Sequence, residues 1–400
     1  MVKEKEQKNR FSTKPLFAGV FFVALSFFSY SSFPEFFSVK YNAAPEEVGV
    51  ELPVEEVFVA THVEIPKSLK AIYMTACVAS TPSLRDNLIN LIDTTELNAI
   101  VLNIKDETGK IAFDVDDPFL KDSVANLSEG ECKIQDIKGL IKDLHDKHIY
   151  VIGRIPVFQD LHMTKIRPDL AVKRASDGGI WRDRKGISWL DAGSKEVWDY
   201  IIAIGKQSYE YGFDELNFDY IRFPSDGNMK DIYYPFSEEK INADSYLGKS
   251  NVLKEFFVYL RRNFRDTDVI LSADLFGMTT TNSDDLNIGQ ILEDAARYFD
   301  YVAPMVYPSH YPPNFNGWSD PNKHPYELIK FVMDEGVKKL VNASTTPSKL
   351  RPWLQDFDYG GNYDVPEVKA QIQATYDAGL TSWMLWSASN KYTSGALKRE

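Results

Sequence analysis

A chain of 400 residues, 44% hydrophobic and 26% charged, is long enough to bury a large core and too long for a small stapled module. Its 45 Lys and Arg against 58 Asp and Glu, a net charge of −13, exclude a general nucleic-acid binder, whose affinity comes from cations neutralising phosphates. Two cysteines, Cys77 and Cys132, exclude a disulfide scaffold and a cysteine-rich metal site.

Residues 1–14 carry Lys3, Lys5, Lys8, Arg10 and Lys14 against Glu4 and Glu6, and an apolar run then extends from Leu16 to about Tyr30. A basic flank before an apolar run predicts a signal anchor, a transmembrane helix within residues 15–37. The basic tail 1–14 then stays in the cytoplasm and everything downstream lies outside. Secretion after signal cleavage is the alternative, but no small-x-small site directly follows the run. Residues 38–67, rich in Pro, Glu and Val, read as an acidic linker, with a short strand around Val57–Ala60.

From residue 68 to the end, short β-rich runs alternate with helical patterns, which implies βαβ units and a parallel sheet. The strand signals are Lys70–Ala76, Ala99–Lys105, Tyr150–Ile155, Glu215–Tyr220, Val269–Leu275, Tyr301–Tyr307, Leu350–Gln355 and Ser382–Ser387. The helical patterns are Ser83–Leu97, Ile134–Lys147, Ser194–Tyr211, Ser250–Arg265, Ile288–Tyr298, Pro325–Glu335 and Val365–Ala378. Eight strands in this alternation predict an α/β fold, a (β/α)8 TIM barrel. An open doubly wound sheet is the runner-up. It calls for a glycine-rich phosphate loop after the first strand, where this chain reads CVASTPS.

Chemistry in such barrels sits at the C-terminal strand ends, and here those ends collect carboxylates, arginines and aromatics. Asp219 and Asp274 lie inside apolar runs on the fourth and fifth strands, where a charge is costly unless it faces a polar cleft. Two carboxyl groups on neighbouring strands are what glycosidic hydrolysis requires, one to protonate the leaving oxygen and one to attack or stabilise the cation-like centre. Arg154 and Arg222 are candidates to bind substrate or to bond a structural Asp, and Arg222 is also a candidate to hold a catalytic carboxylate ionised. Asp106 and Glu107 precede Thr108-Gly109, so each is either a site residue or part of a turn. Asp191, just before a helical pattern, reads as a helix cap. Tyr307, Trp386, Trp181 and Trp189 are rings that stack on sugar faces. There is no H-E-x-x-H, C-x-x-C or G-x-S-x-G, so zinc and serine hydrolases have little support, and no metal or organic cofactor enters the reading.

The segment Trp189–Pro224, WLDAGSKEVWDYIIAIGKQSYEYGFDELNFDYIRFP, resembles glycoside hydrolase barrels of the DUF4015 type. Those barrels enter a helix through W-L-D-x-G…E-V and place F-D-Y-I-R-F/Y-P on the fourth strand. KAIYMTAC, NAIVLNIKDETGKIAFD, SADLFGMTT and YVAPMVYPSHY extend the resemblance over nearly all of residues 68–390. It implies a TIM barrel related to amylase-like and α-galactosidase-like hydrolases, in which a fourth-strand Asp is often the nucleophile, here Asp219. Amylase-like relatives carry a Glu acid at the end of the fifth strand. This chain departs from them with Asp274.

The expected protein is therefore a membrane-anchored glycoside hydrolase acting on a cell-surface or extracellular polysaccharide or oligosaccharide. Asp219 and Asp274 would be catalytic, with Asp106, Arg154, Arg222, Tyr307 and Trp386 binding substrate. The alternative is a non-catalytic carbohydrate-binding barrel of the cell envelope, and a polysaccharide deacetylase or lyase is a further one. Nine of the 25 Phe lie between residues 11 and 37, whereas all 7 Trp lie beyond residue 180. The Trp are thus left for the barrel.

Overall fold

In a computed structural model that describes residues 58–106, 108–124 and 132–399, eight parallel strands close into a barrel in chain order. They are β1 (Lys70–Met74), β2 (Ala99–Asn103), β3 (Tyr150–Pro156), β4 (Glu215–Asp219), β5 (Ile270–Phe276), β6 (Tyr301–Met305), β7 (Trp353–Gln355) and β8 (Trp383–Trp386). The expected basic tail, signal anchor and most of the linker lie outside the described residues. Among the described residues, no helix is long and apolar enough to cross a membrane.

Every strand signal yields a strand, and the departures fall at the ends. β7 is the shortest because Pro352 brings no N–H to the ladder. Leu350 therefore pairs with Val302 only as an isolated bridge. The strands read as near-continuous apolar runs because both faces are covered. Inward residues Ala71, Val101, Tyr150, Ile152, Ala303, Trp353 and Met384 form one cluster inside the barrel. Outward residues Ile72, Ile100, Val151, Leu216, Leu271 and Leu385 join the larger cluster that packs under the helices.

The principal helices are α1 (Pro82–Asp93), α2 (Ile137–Asp146), α3 (Lys195–Glu210), α4 (Gly248–Asn263), α5 (Leu292–Tyr298), α6 (Pro325–Asn342) and α7 (Val365–Asp377). α2 shows the local logic. Ile137, Leu140, Ile141 and Leu144 recur at helical spacing and are buried, while Asp136 caps the start by accepting from the Gly139 N–H at 2.8 Å. The pattern predicts that α6 ends at Glu335, before Gly336, yet the helix runs on to Asn342. Gly336 faces inward, and a Cβ there would sit 3.3 Å from Leu350 Cδ1 and 3.4 Å from Thr280 Cγ2. It is a point of close packing and not a stop.

The end of the segment read as linker packs on the barrel. The Val63 N–H donates to Asp214 Oδ1 (2.8 Å), Thr61 Oγ1 bonds His145 Nδ1 (3.0 Å), and Val63 and Ile65 lie against the barrel-interior cluster. Residues 58–60 form no strand, and Val57 lies outside the described residues. Cys77, after β1, and Cys132, between β2 and α2, form a disulfide. This is one cross-link between two loops of the C-terminal face and not a scaffold.

Deep in the barrel, Glu215 on β4 receives hydrogen bonds from Arg351 Nη1 at 2.8 and 3.1 Å and from Tyr150 Oη at 3.2 Å. Glu215 and Arg351 are buried. Removing one partner of a buried pair strands the other charge, at a cost of about 3–5 kcal/mol. Arg351→Ala is expected to lower unfolding free energy by that amount in urea titration. A loss below about 1 kcal/mol would show that the pair is not what holds this level of the barrel together.

Candidate active site

Period-2 alternation aims Glu215, Asn217 and Asp219 of β4 into the barrel and Leu216 and Phe218 outward. On β5 the same alternation turns Ser272 and Asp274 inward. Asn217 pairs with Ser272 and Phe218 with Ala273, so Asp219 and Asp274 follow side by side in register at the C-terminal mouth. Both are buried.

Their partners differ. Asp219 Oδ2 accepts from Nε of Arg154 at 3.0 Å and again from its Nη2, and Asp219 Oδ1 accepts from the Tyr220 N–H at 2.6 Å. Tyr220 adopts φ +48°, a left-handed conformation that bulky residues rarely occupy and that is characteristic of functional sites. Arg154 also donates from Nη1 to Asn103 Oδ1 (3.0 Å), and Asn103 Nδ2 donates to Tyr73 Oη (2.8 Å). Burial, the largest single influence, would lower the pKa of Arg154, but Asp219, Tyr73, Tyr220 and Asp274 together outweigh it and raise it.

Among the described residues, Asp274 forms no ion pair. Its Oδ1 accepts from Asn217 Nδ2 (2.9 Å) and from Trp353 Nε1 (2.8 Å). Burial, and after it the Asp219 charge, push its carboxyl well above the ordinary carboxylate range, against the opposing pull of Asn217, Arg154 and Trp353. The pair thus consists of one carboxylate held by a guanidinium and one carboxyl biased toward its protonated form. This is the division of labour that acid-assisted bond cleavage needs.

Of the other expected site residues, Trp386 is half-buried and stacks on Tyr73 at 4.1 Å between centroids, with the Arg154 guanidinium 5.2 Å from its own ring. Tyr307 is buried against His310 and Phe357. Its pKa is raised, first by burial and then by the Asp274 and Asp219 charges. Arg222 holds no carboxylate, contrary to one expectation. It donates from Nη1 to the Phe223 carbonyl (2.9 Å), while Arg154 serves Asp219.

Other expectations are corrected. Asp106 closes a turn, its Oδ1 accepting from the Thr108 N–H (3.0 Å) and Oγ1 (2.6 Å). Glu107 lies outside the described residues. Trp181 and Trp189 are only 1% and 2% exposed and offer no open sugar face. Asp191 does not cap α3, whose N-cap is Ser194. It accepts from the N–H groups of Gly193 and Phe236 and from the Ser237 hydroxyl, tying two loops together. Sequence reading missed Trp353, Asn103 and Asn217, whose roles depend on register. It also missed Lys105 and Asp160, a fully buried ion pair at 2.7 Å that fastens the loop after β2 to the loop after β3.

The DUF4015 family model, described as "Putative glycosyl hydrolase domain", matches residues 71–392. The chain belongs to this family. Among solved structures, the DUF4015 chain is 32% identical to a hypothetical protein from Ruminiclostridium thermocellum ATCC 27405, covering 51% of this chain and 96% of that one with a TM-score of 0.43. It resembles the PgaB (BpsB) glycoside hydrolase domain from Bordetella bronchiseptica at 15% identity and a TM-score of 0.58, over 80% and 94% of the two chains. It also resembles the α-galactosidase TtGalA from Thermus thermophilus at 11% identity and a TM-score of 0.50, over 83% and 60%. The latter two likenesses establish the barrel fold. No curated protein matches the chain. Family membership places it among glycosyl hydrolase domains, as the fourth-strand motif implied.

A buried acid with a raised pKa binds its proton in the folded state at pH values where the unfolded chain has lost it, so stability falls as pH rises between the two pKa values. Asp274→Asn removes that penalty while keeping an oxygen for Asn217 and Trp353. The variant is expected to match wild-type stability below about pH 4 and to exceed it increasingly toward neutrality, read as Tm against pH. A variant less stable than wild type at pH 7 would contradict the raised pKa.

Proposed function

We propose that this DUF4015 domain hydrolyses glycosidic bonds of a cell-surface or extracellular polysaccharide. Asp274 is the general acid/base, and Asp219 is the carboxylate that attacks or stabilises the oxocarbenium-like centre. The observation that carries this reading is the asymmetry of the in-register pair, with Arg154 on Asp219 and only neutral donors on Asp274. Both donors converge on Oδ1, which leaves Oδ2 of Asp274 to carry the proton. On cleavage that proton passes to the departing glycosidic oxygen. The resulting Asp274 carboxylate then accepts a proton from the water that completes hydrolysis. Arg154 keeps Asp219 fixed through both steps, and the half-buried Trp386 offers ring surface for the sugar. A barrel that binds carbohydrate without cleaving it would need the rings but not two carboxyl groups of opposite character.

A panel of polysaccharides assayed for reducing ends tests the proposal. Asp219→Asn and Asp274→Asn are each expected to lose about 100-fold to 10,000-fold in kcat/KM, with the folded state retained. Wild-type activity in Asp219→Asn would remove that residue from the mechanism. Activity requires protonated Asp274 and so falls as pH rises through its pKa. Trp353→Phe deletes a donor that favours the carboxylate, raises that pKa and is expected to move the alkaline limb of the rate profile to higher pH. A shift to lower pH, or none, would contradict the role given to the indole N–H.

We also propose that the barrel works outside the cytoplasm, tethered by the apolar segment within residues 15–37. The basic flank before that segment supports this orientation, and a disulfide between Cys77 and Cys132 suits an oxidising compartment. Full-length chain is expected in the membrane fraction with the barrel open to protease added outside the cell. Deletion of residues 1–37 should release it. Protection from external protease would place the barrel on the other side.

A further inference from the structure

Buried charges in folded proteins are paired, and the buried arginines of the barrel obey this unevenly. Arg154 holds Asp219 and Arg351 holds Glu215. Arg222 is 8% exposed and forms no ion pair among the described residues, with Asp219, Asp226 and Asp183 acting on it only from further away. Its one hydrogen bond runs to the carbonyl of the next residue, from a group with five N–H donors. Three rings fix its plane, with Phe276, Trp189 and Tyr220 centroids at 4.7, 4.8 and 5.3 Å from the guanidinium carbon. Tyr220 also faces the Arg154 guanidinium, at 5.9 Å, so Arg222 stands one ring away from the group that holds Asp219.

A second observation points the same way. The loop between β3 and α3 that supplies Trp189 also carries Arg182, Arg184 and Lys185. Arg184 and Lys185 are exposed, and none of the three forms an ion pair among the described residues. The Lys185 charge reaches His310 in the loop after β6, where, after burial, it lowers the imidazole pKa. The stretch lies against the loop after β4, where the Arg184 N–H donates to Asp226 Oδ1 at 3.2 Å and Trp181 Nε1 donates to the Asn228 carbonyl at 3.0 Å.

We infer that Arg222 binds an anionic substituent, a sugar carboxylate or sulfate, so that the substrate class is an acidic polysaccharide, with Arg184 and Lys185 meeting neighbouring charges along the polymer. This rests on the glycosidase reading of the same site and narrows it. A planar fork held between rings matches a carboxylate or sulfate edge in two-point contact.

The test is calorimetric binding of the full chain to a polyuronate, to the same polymer after carboxyl reduction, and to a sulfated glycan. At least tenfold tighter binding of the polyuronate or the sulfated glycan than of the reduced polymer is expected, weakening with added salt. The two acidic arms tell carboxylate from sulfate. Arg222→Gln should abolish the preference, and Arg222→Lys should restore only part of it, because an ammonium lacks the fork. Arg184→Ala with Lys185→Ala, both on an exposed loop, should reduce the preference at least threefold without altering Tm, which guards against a folding artefact at Arg222. Equal affinity for acidic and reduced polymers, binding to neither, or a preference that survives Arg222→Gln would overturn the inference. Tight acidic binding without cleavage of any polymer would count against the glycosidase reading and leave the anion site standing. Cleavage of neutral polymers alone would do the reverse.

Discussion

Arg154 donates twice to one oxygen of Asp219, and the chemistry of the barrel mouth depends on that contact. Two acids side by side on adjacent strands, about 4.8 Å apart at the backbone, cannot both be charged in a buried site without large repulsion. One guanidinium placed on Asp219 alone breaks the symmetry. The burial cost and the negative neighbour then fall on Asp274, which responds by holding its proton. Moving Arg154 midway between the two would give each carboxyl half a partner and erase the difference that acid catalysis requires. Asn103 prevents this by accepting the third Arg154 hydrogen bond on the side away from Asp274, and the Tyr73 hydroxyl secures Asn103 in turn.

The same strand that carries Asp219 supports it from below. β4 sends three polar side chains inward at successive levels: Glu215 to Arg351 and Tyr150, Asn217 to Ser272 and Asp274, and Asp219 to Arg154. A column of polar groups inside a barrel is tolerable only if each level is satisfied. The register of β3, β4 and β5 meets most of this demand by setting donors beside acceptors, and leaves Asn217 Oδ1 and Arg351 Nε buried without a partner among the described residues. The Tyr220 backbone, at φ +48°, is the local concession. Its strained turn brings an N–H onto Asp219 Oδ1 and so fills the remaining acceptor.

The barrel and its acid pair were legible in the sequence because both follow from periodicity. Alternating apolar runs locate the strands, and an Asp inside such a run has nowhere to go but the polar mouth. What was not legible depends on which strand faces which. Trp353 is an unremarkable ring until β7 stands two strands from β5, with β6 between, and its indole N–H meets Asp274. Asn103 and Asn217 are common amides until register makes them the supports of Arg154 and Asp274. Trp181 and Trp189 were misplaced because composition cannot tell an open ring from a covered one. Trp189 spends its N–H on Asp183 and a face on Arg222. Asp191 failed as a cap for a similar reason, since its partners Phe236 and Ser237 come from a loop some 45 residues further on.

Net charge is a poor guide to what this mouth would accept. The chain as a whole carries −13, which argues against binding any polyanion through long-range attraction. At physiological ionic strength, however, exposed charges more than about 8 Å away are largely screened, so acids on the outer helices barely reach the cleft. Within the cleft the nearer terms decide. Asp219 is already paired with Arg154, and Asp183 is engaged by Trp189, Gln159 and backbone N–H groups. Arg222, fixed by rings, and the loop cations Arg184 and Lys185 form no close ion pair among the described residues, although Asp226 lies in the adjoining loop. An acidic protein with a small basic rim would gain little on-rate from its overall field. It would select among glycans by close contact, through the groups that burial and ring packing have already put in place.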